Sequence, residues 1–248
     1  MHNLGHTRSA HRRNHLLLTP DTFVRTTLPG MKNASAIIHI GPVLGATFAE
    51  YTAEFEKGGE LGATVAQRFI YVTDGSLNLF VDDKELLLAS RSYAYLPQGK
   101  LHRLVSNEKS RTIIIEKAYV ANSFSDSPEM IVGSEDDIVS VPLGGDASLQ
   151  VKCLLPDDII FDFAVNTMTY QPGAALSMVE MHVMEHGLMM LEGGGIYRLD
   201  DAWYPVAAGD FIWMGPWCPQ WFGAVGKVPA KYLIYKDWNR HPLTGIRT

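Results

Sequence analysis

Two cysteines, Cys153 and Cys218, are all that the 248 residues carry, too few for a disulfide framework and in keeping with a reducing compartment. No apolar run approaches the ~18 residues that would span a bilayer. The only apolar run in Met1–Pro20 is Leu16-Leu17-Leu18, too short for the core of a secretion signal. These absences lead to the expectation of a cytoplasmic chain with no membrane partner. An excess of basic charge is missing too. With 21 Lys and Arg against 27 Asp and Glu, the net charge is −6 at pH 7, which leaves no electrostatic footprint for nucleic acid. Long segments of helical 3.6-residue periodicity are hard to find. What is present is an ordinary globular composition, 46% hydrophobic and 19% charged, in a chain long enough for one or two domains.

Short apolar-rich stretches punctuated by Gly, Pro and Asp-Asp recur along the chain and predict a mostly β protein. The clearest run is 193–215, with turns at Asp200-Asp201 and Ala208-Gly209-Asp210. Residues 74–97 read alike: placing Asp82-Asp83 on Asp200-Asp201, 118 positions further on, also places Ala94-Tyr95-Leu96 on Ile212-Trp213-Met214. A period this long exceeds a solenoid repeat and points to two small β-domains. The polar segment 125–137, with its Pro and Gly, suggests the boundary. The expected division is an N-terminal extension over 1–40, a first barrel over 41–125 and a second over 126–248.

The stretch Val179-Glu180-Met181-His182-Val183-Met184-Glu185-His186 sets a carboxylate and two imidazoles among apolar residues. On one helix, Glu180 would sit about 200° from His182. On an extended chain, or a strand running into a turn, Glu180, His182 and His186 share parity and can converge. Moved back by 118 they fall on Gly62, Thr64 and Arg68, none a usual metal ligand. His102 moves forward onto Gln220, which makes Gln220 a fourth candidate. The first copy is therefore expected to lack the site that the second holds. Two imidazoles, a carboxylate and an amide oxygen, without thiolate, suit Mn²⁺, Fe²⁺ or Zn²⁺.

These residues carry a resemblance to the cupin superfamily, whose small antiparallel barrels bind metal through two motifs. Gly173, Glu180, His182, His186 and Gly193 follow the order of the first, with Glu for its first His and His for its Glu. Gly209, Gly215, Trp217 and Gln220 follow the second, which the first copy keeps better as Pro97, Gly99 and His102. Two barrels in one chain, with the site only in the second and an altered ligand set, resemble the ureidoglycine aminohydrolase family. The likeness extends to "LLTPDTFV" at 17–24, "YQPGA" at 170–174, "HVMEHG", "GDFIWMG" and "YKDWNR" at 235–240.

The resemblance implies an all-β bicupin of two tandem jelly-roll barrels and a homo-oligomer. It also implies a manganese-dependent release of ammonia from (S)-ureidoglycine to give (S)-ureidoglycolate. On this basis Lys236, Tyr232 and Tyr197 are the expected catalytic residues, with Glu180 and Gln220 also touching the small ureido substrate. Tyr232 and Lys236, four apart, have equal parity on a strand. A cupin dioxygenase or isomerase, and a non-catalytic ligand-binding bicupin, are the alternatives on the same first shell.

Other features have plainer readings. Glu185 is expected outside the ligand set, either supporting it or on the surface. His102 reads as structural, with an anion site shared with Arg68 as the lesser alternative. His2, His6, His11 and His15 read as a mobile or docked arm. The Met-rich run 178–191 is expected to fill the barrel around the site, and Trp213, Trp217 and Trp221 to form core and pocket wall.

Overall fold

Alternation decides most of the strands. In Ser76–Val81 every second residue is buried, and 118 positions on, Gly194–Leu199 repeats the pattern, as a strand with one face inward requires. The computed structural model describes residues 6–121 and 127–240. No α-helix occurs among them, and no helix is long and apolar enough to cross a membrane.

The chain divides into two compact units, Val24–Ile138 and the remainder. In the first, an antiparallel sheet runs through Lys84–Ala89, Ser76–Val81, Arg103–Ser106, Ala49–Gly62, Ser110–Lys117, Gln67–Asp74, Ser92–Leu96 and Ile131–Ser134. Met31–Ile40 adds to Ala49–Gly62, and the interior holds Tyr51, Phe55, Ile70, Leu79 and Ile114. In the second, Phe211–Met214, His186–Glu192, Ala230–Asp237, Phe163–Tyr170 and Asp146–Cys153 pair in that order. A three-stranded sheet of Ala202–Ala207, Gly194–Leu199 and Gln220–Ala224 completes it around Met168, Tyr170, Leu188, Phe222 and Ile234.

The duplication is visible in the turns. Val81 pairs with Lys84 across Asp82-Asp83, both left-handed (φ 47° and 58°), and Leu199 pairs with Ala202 across Asp200, φ 57°. Asp tolerates this backbone, which matches the twist of a two-residue hairpin. Gly75 and Gly193 occupy equivalent positions at φ +74° and +62°. A Cβ there would lie 2.4 Å from Ser110 Oγ in one case and 2.3 Å from the Pro229 carbonyl in the other, so both closures require glycine.

The expected extension over 1–40 is not one piece. Residues up to Phe23 group with the second barrel: His15–Leu18 pairs with Phe211–Met214, and Leu17 is fully buried. Met31–Ile40 is a strand of the first barrel. That barrel also runs past the expected end at 125, because Ile131–Ser134 pairs with Ser92–Leu96; the 125/126 boundary itself falls outside the described residues. Of the N-terminal histidines, His2 is likewise outside them. His15 is docked, with Nε2 2.9 Å from Tyr204 Oη and Nδ1 3.0 Å from Asn14 Oδ1.

One carboxyl in the first barrel stands apart. Glu50 is buried, neither of its oxygens has a hydrogen-bond partner among the described residues, and burial pushes its pKa up to about 8. A raised folded pKa means the contribution to stability is complete below the ordinary carboxyl range and is lost as pH rises through about 8. Glu50→Gln should remove that loss. Thermal melts at pH about 5 and about 9 should show the variant gaining on the native protein by on the order of 3 kcal/mol at the higher pH; equal pH dependence would contradict it.

Candidate metal centre

The second barrel gathers the expected residues at one end. Glu180 and Gln220 form an isolated antiparallel bridge, Glu180 N donating to Gln220 O at 2.8 Å and Gln220 N to Glu180 O at 2.9 Å. The chain then turns through His182, whose carbonyl accepts from Trp217 N at 2.8 Å. His186 opens the strand His186–Glu192, between Met214 on one side and Lys236 on the other. The site is thus a turn feeding a strand. Glu180, His182, His186, Gln220, Tyr197, Tyr232 and Lys236 all line one cavity of about 230 Å³.

Within it, His182 Nε2 lies 3.3 Å from His186 Nε2 and 2.9 Å from the Gln220 side-chain amide. His186 Nδ1 is 3.2 Å from the Tyr235 carbonyl. That carbonyl can only accept, so Nδ1 carries the proton and Nε2 turns a lone pair into the cavity. Burial lowers the pKa of both imidazoles, that of His186 well below the ordinary value, and keeps them neutral.

Two imidazole nitrogens converging beside an amide fit a divalent cation. Ligand atoms about 2.0–2.2 Å from one ion and at roughly 90–110° lie about 2.8–3.6 Å apart, which brackets the distance between the two Nε2 atoms. The Gln220 amide can present its oxygen by a half turn. Glu180 lines the same cavity, but among the described residues no three His, Cys, Asp or Glu side chains are gathered tightly enough to hold an ion. His182, His186 and Gln220 are therefore brought together, and Glu180 is brought alongside.

Tyr197 and Tyr232 are buried, and burial raises both hydroxyls well above the ordinary tyrosine pKa. Lys236 has its pKa lowered by burial, opposed by the charge of Glu180. The sequence reading missed Tyr170, whose Oη lies 2.7 Å from Tyr232 Oη, and Asn166 on the same strand. Their equal parity with Met168, a cavity residue, was the available signal.

Several plainer readings resolve. Glu185 is not on the surface. It is 1% exposed and accepts from Trp213 Nε1 at 3.1 Å, tying down the residue next to His186. Trp217 is 52% exposed at φ 64°, so it is neither core nor pocket wall, whereas Trp213 is buried and Trp221 donates to the Leu176 carbonyl at 2.7 Å. Met184 lines the cavity and Met189 and Met190 are buried, but Met178 and Met181 face solvent.

In the first barrel the transferred positions also meet. Arg68 donates to Glu116 Oε1 from Nε (2.9 Å) and Nη2 (2.7 Å), and from Nη1 to the Gly62 carbonyl (2.7 Å). Its Nη1 is also 2.7 Å from His102 Nε2. Burial first, and then the charge of Arg68, lowers the His102 pKa to about 4. The guanidinium is engaged by its neighbours, so His102 is a structural histidine here.

The antiparallel sheets of the two units are those of the cupin class, and residues 166–235 match the Cupin domain family. The chain is 40% identical over 242 residues to the probable (S)-ureidoglycine aminohydrolase of Oryza sativa subsp. japonica, covering 96% of this chain and 78% of that protein. It is also 40% identical to the (S)-ureidoglycine aminohydrolase of Arabidopsis thaliana, covering 96% and 80%. The crystal structure of protein Ylba from E. coli aligns with a TM-score of 0.85 at 30% identity, over 96% of this chain and 97% of that one. The chain belongs to the (S)-ureidoglycine aminohydrolase family.

Proposed function

We propose that the second-barrel cavity releases ammonia from (S)-ureidoglycine to give (S)-ureidoglycolate, with a divalent ion, manganese, held by His182, His186, Gln220 and Glu180. The observation that carries this reading is the convergence of two neutral imidazoles and an amide in one cavity with the half-buried Lys236, in a chain 40% identical to aminohydrolases of that name. A bound divalent ion supplies Lewis-acid anchoring for the substrate's carboxylate and its neighbouring heteroatoms.

The chain's own residues account for the rest. In the overall change a C–N bond breaks and a C–O bond forms, and the departing amine gains a proton that water gives up. Lys236 carries that proton, because burial lowers the amine's pKa toward the range in which it can both give and take. Tyr232 and Tyr197 hydrogen-bond the substrate and remain protonated, as their raised pKa values require. Tyr170 holds the Tyr232 hydroxyl in place. Held by these side chains, the substrate presents one face of its reacting carbon.

The test generates ureidoglycine in place from allantoate with an allantoate amidohydrolase and follows the chirality of the product. Enzyme-dependent ammonia release with ureidoglycolate of one hand is expected. Racemic product formed at the spontaneous rate would remove the assignment, and oxygen consumption would direct it to a dioxygenase.

A further inference from the structure

Phe163–Tyr170 runs antiparallel to Ala230–Asp237, with Ala164 opposite Lys236, Asn166 opposite Ile234 and Met168 opposite Tyr232. Side chains alternate along a strand, so Asn166, Met168 and Tyr170 share a face with Tyr232, Ile234 and Lys236. Asn166 is 7% exposed and does not itself line the cavity.

One orientation of its amide satisfies both ends. The NH2 donates to the Val165 carbonyl at 3.0 Å, and the oxygen accepts from Lys236 Nζ at 3.2 Å. The opposite orientation would set oxygen against carbonyl and NH2 against amine, with no bond at either end. A lysine amine rides on a flexible four-carbon stem with three rotatable donors. An acceptor behind it fixes which way the other two positions point.

We infer that Asn166 is a positioning residue for Lys236: its side-chain oxygen holds the amine in one direction, toward the cavity, without touching the substrate. A neutral amide can do this without adding a charge beside the amine. The Tyr170–Tyr232 contact repeats the arrangement four residues along: the Tyr232 hydroxyl, like the Lys236 amine, is backed by a polar side chain from the neighbouring strand. The inference rests on the reading of Lys236 as the proton carrier.

Asn166→Leu deletes the acceptor at similar size. The expected result is a kcat lower by on the order of 10- to 100-fold, the range that misplacing a reacting group by about 1 Å produces. KM and manganese stoichiometry should stay within about twofold of native, with an unchanged melting temperature. The variant's crystal structure should show Lys236 Nζ displaced. Because Asn166 acts through the amine, Asn166→Leu combined with Lys236→Met should be no slower than Lys236→Met alone.

A native kcat in Asn166→Leu, or losses that multiply in the double variant, would overturn the inference. If Lys236→Met itself released ammonia at the native rate, the proton-carrier reading would fail, and the variant structure would still decide the positioning. An amine that keeps its place without Asn166 then sinks it. Should Asn166→Leu fail to fold, Asn166→Ala carries the same expectations.

Discussion

A His186→Ala variant is expected to lose both bound manganese and turnover, each by more than about 100-fold. Altering a residue that merely supports a ligand costs 10- to 100-fold, and in the proposed site His186 would supply a ligand nitrogen directly. Its Nδ1 is committed to the Tyr235 carbonyl, which leaves Nε2 in the cavity 3.3 Å from that of His182. Alanine removes one of the two nitrogens that converge there. Metal analysis after dialysis against manganese, alongside ammonia release, measures the effect. Since His186 is buried, a melting curve is needed as well. Chelation of the native protein should reproduce the loss of turnover without the cavity that alanine leaves. Native manganese content in His186→Ala would mean that the ion lies elsewhere. Glu180→Ala is the informative contrast. With no three His, Cys, Asp or Glu side chains gathered tightly among the described residues, losing this carboxylate should weaken manganese binding less than losing either histidine.

Much of this was legible in the residues. The offset of 118 holds through the strands, the Asp-Asp turns, the paired Gly75 and Gly193 and the meeting of Gly62, Arg68 and His102. It works because a hairpin's register and turn chemistry are local, and local patterns survive in a one-dimensional comparison. His182, His186 and Gln220 were readable for the same reason, lying where one motif and one offset place them. What was not legible depends on partners distant in sequence. Leu16-Leu17-Leu18 gives no sign that it will pair with Phe211–Met214. Ile131–Ser134 does not disclose that it closes onto Ser92–Leu96. Glu185 looks like a surface carboxylate until Trp213 is set beside it. Asn166 and Tyr170 gain their roles only through the neighbouring strand that carries Lys236 and Tyr232.

The same dependence on distant partners explains the first barrel, where Arg68→Met should be strongly destabilising. Arg68 stands in the register of His186: Arg68 pairs with Leu96 and Glu116, as His186 pairs with Met214 and Lys236. A guanidinium therefore lies where the second barrel presents an imidazole, and a metal ion approaching it would meet like charge. Its donors satisfy Glu116, the Gly62 carbonyl and His102, while Tyr51 Oη donates to the same Glu116 oxygen at 2.8 Å. Breaking a buried ion pair by removing one partner costs about 3–5 kcal/mol. Glu116 is 20% exposed, so water can reach the carboxylate left behind and the lower end, about 3 kcal/mol, applies. For a chain of this size that lowers the melting temperature by on the order of 10 °C. The compensating experiment is Arg68→Met with Glu116→Leu, which removes both charges and should recover most of the loss, because an apolar replacement of a buried pair is close to neutral. A double variant as unstable as the single one would show that Arg68 matters through packing and its bond to the Gly62 carbonyl, with the ion pair contributing little. Manganese stoichiometry of the native protein bears on the same point: one ion per chain is expected, and a second would require the Arg68–Glu116 pair to open.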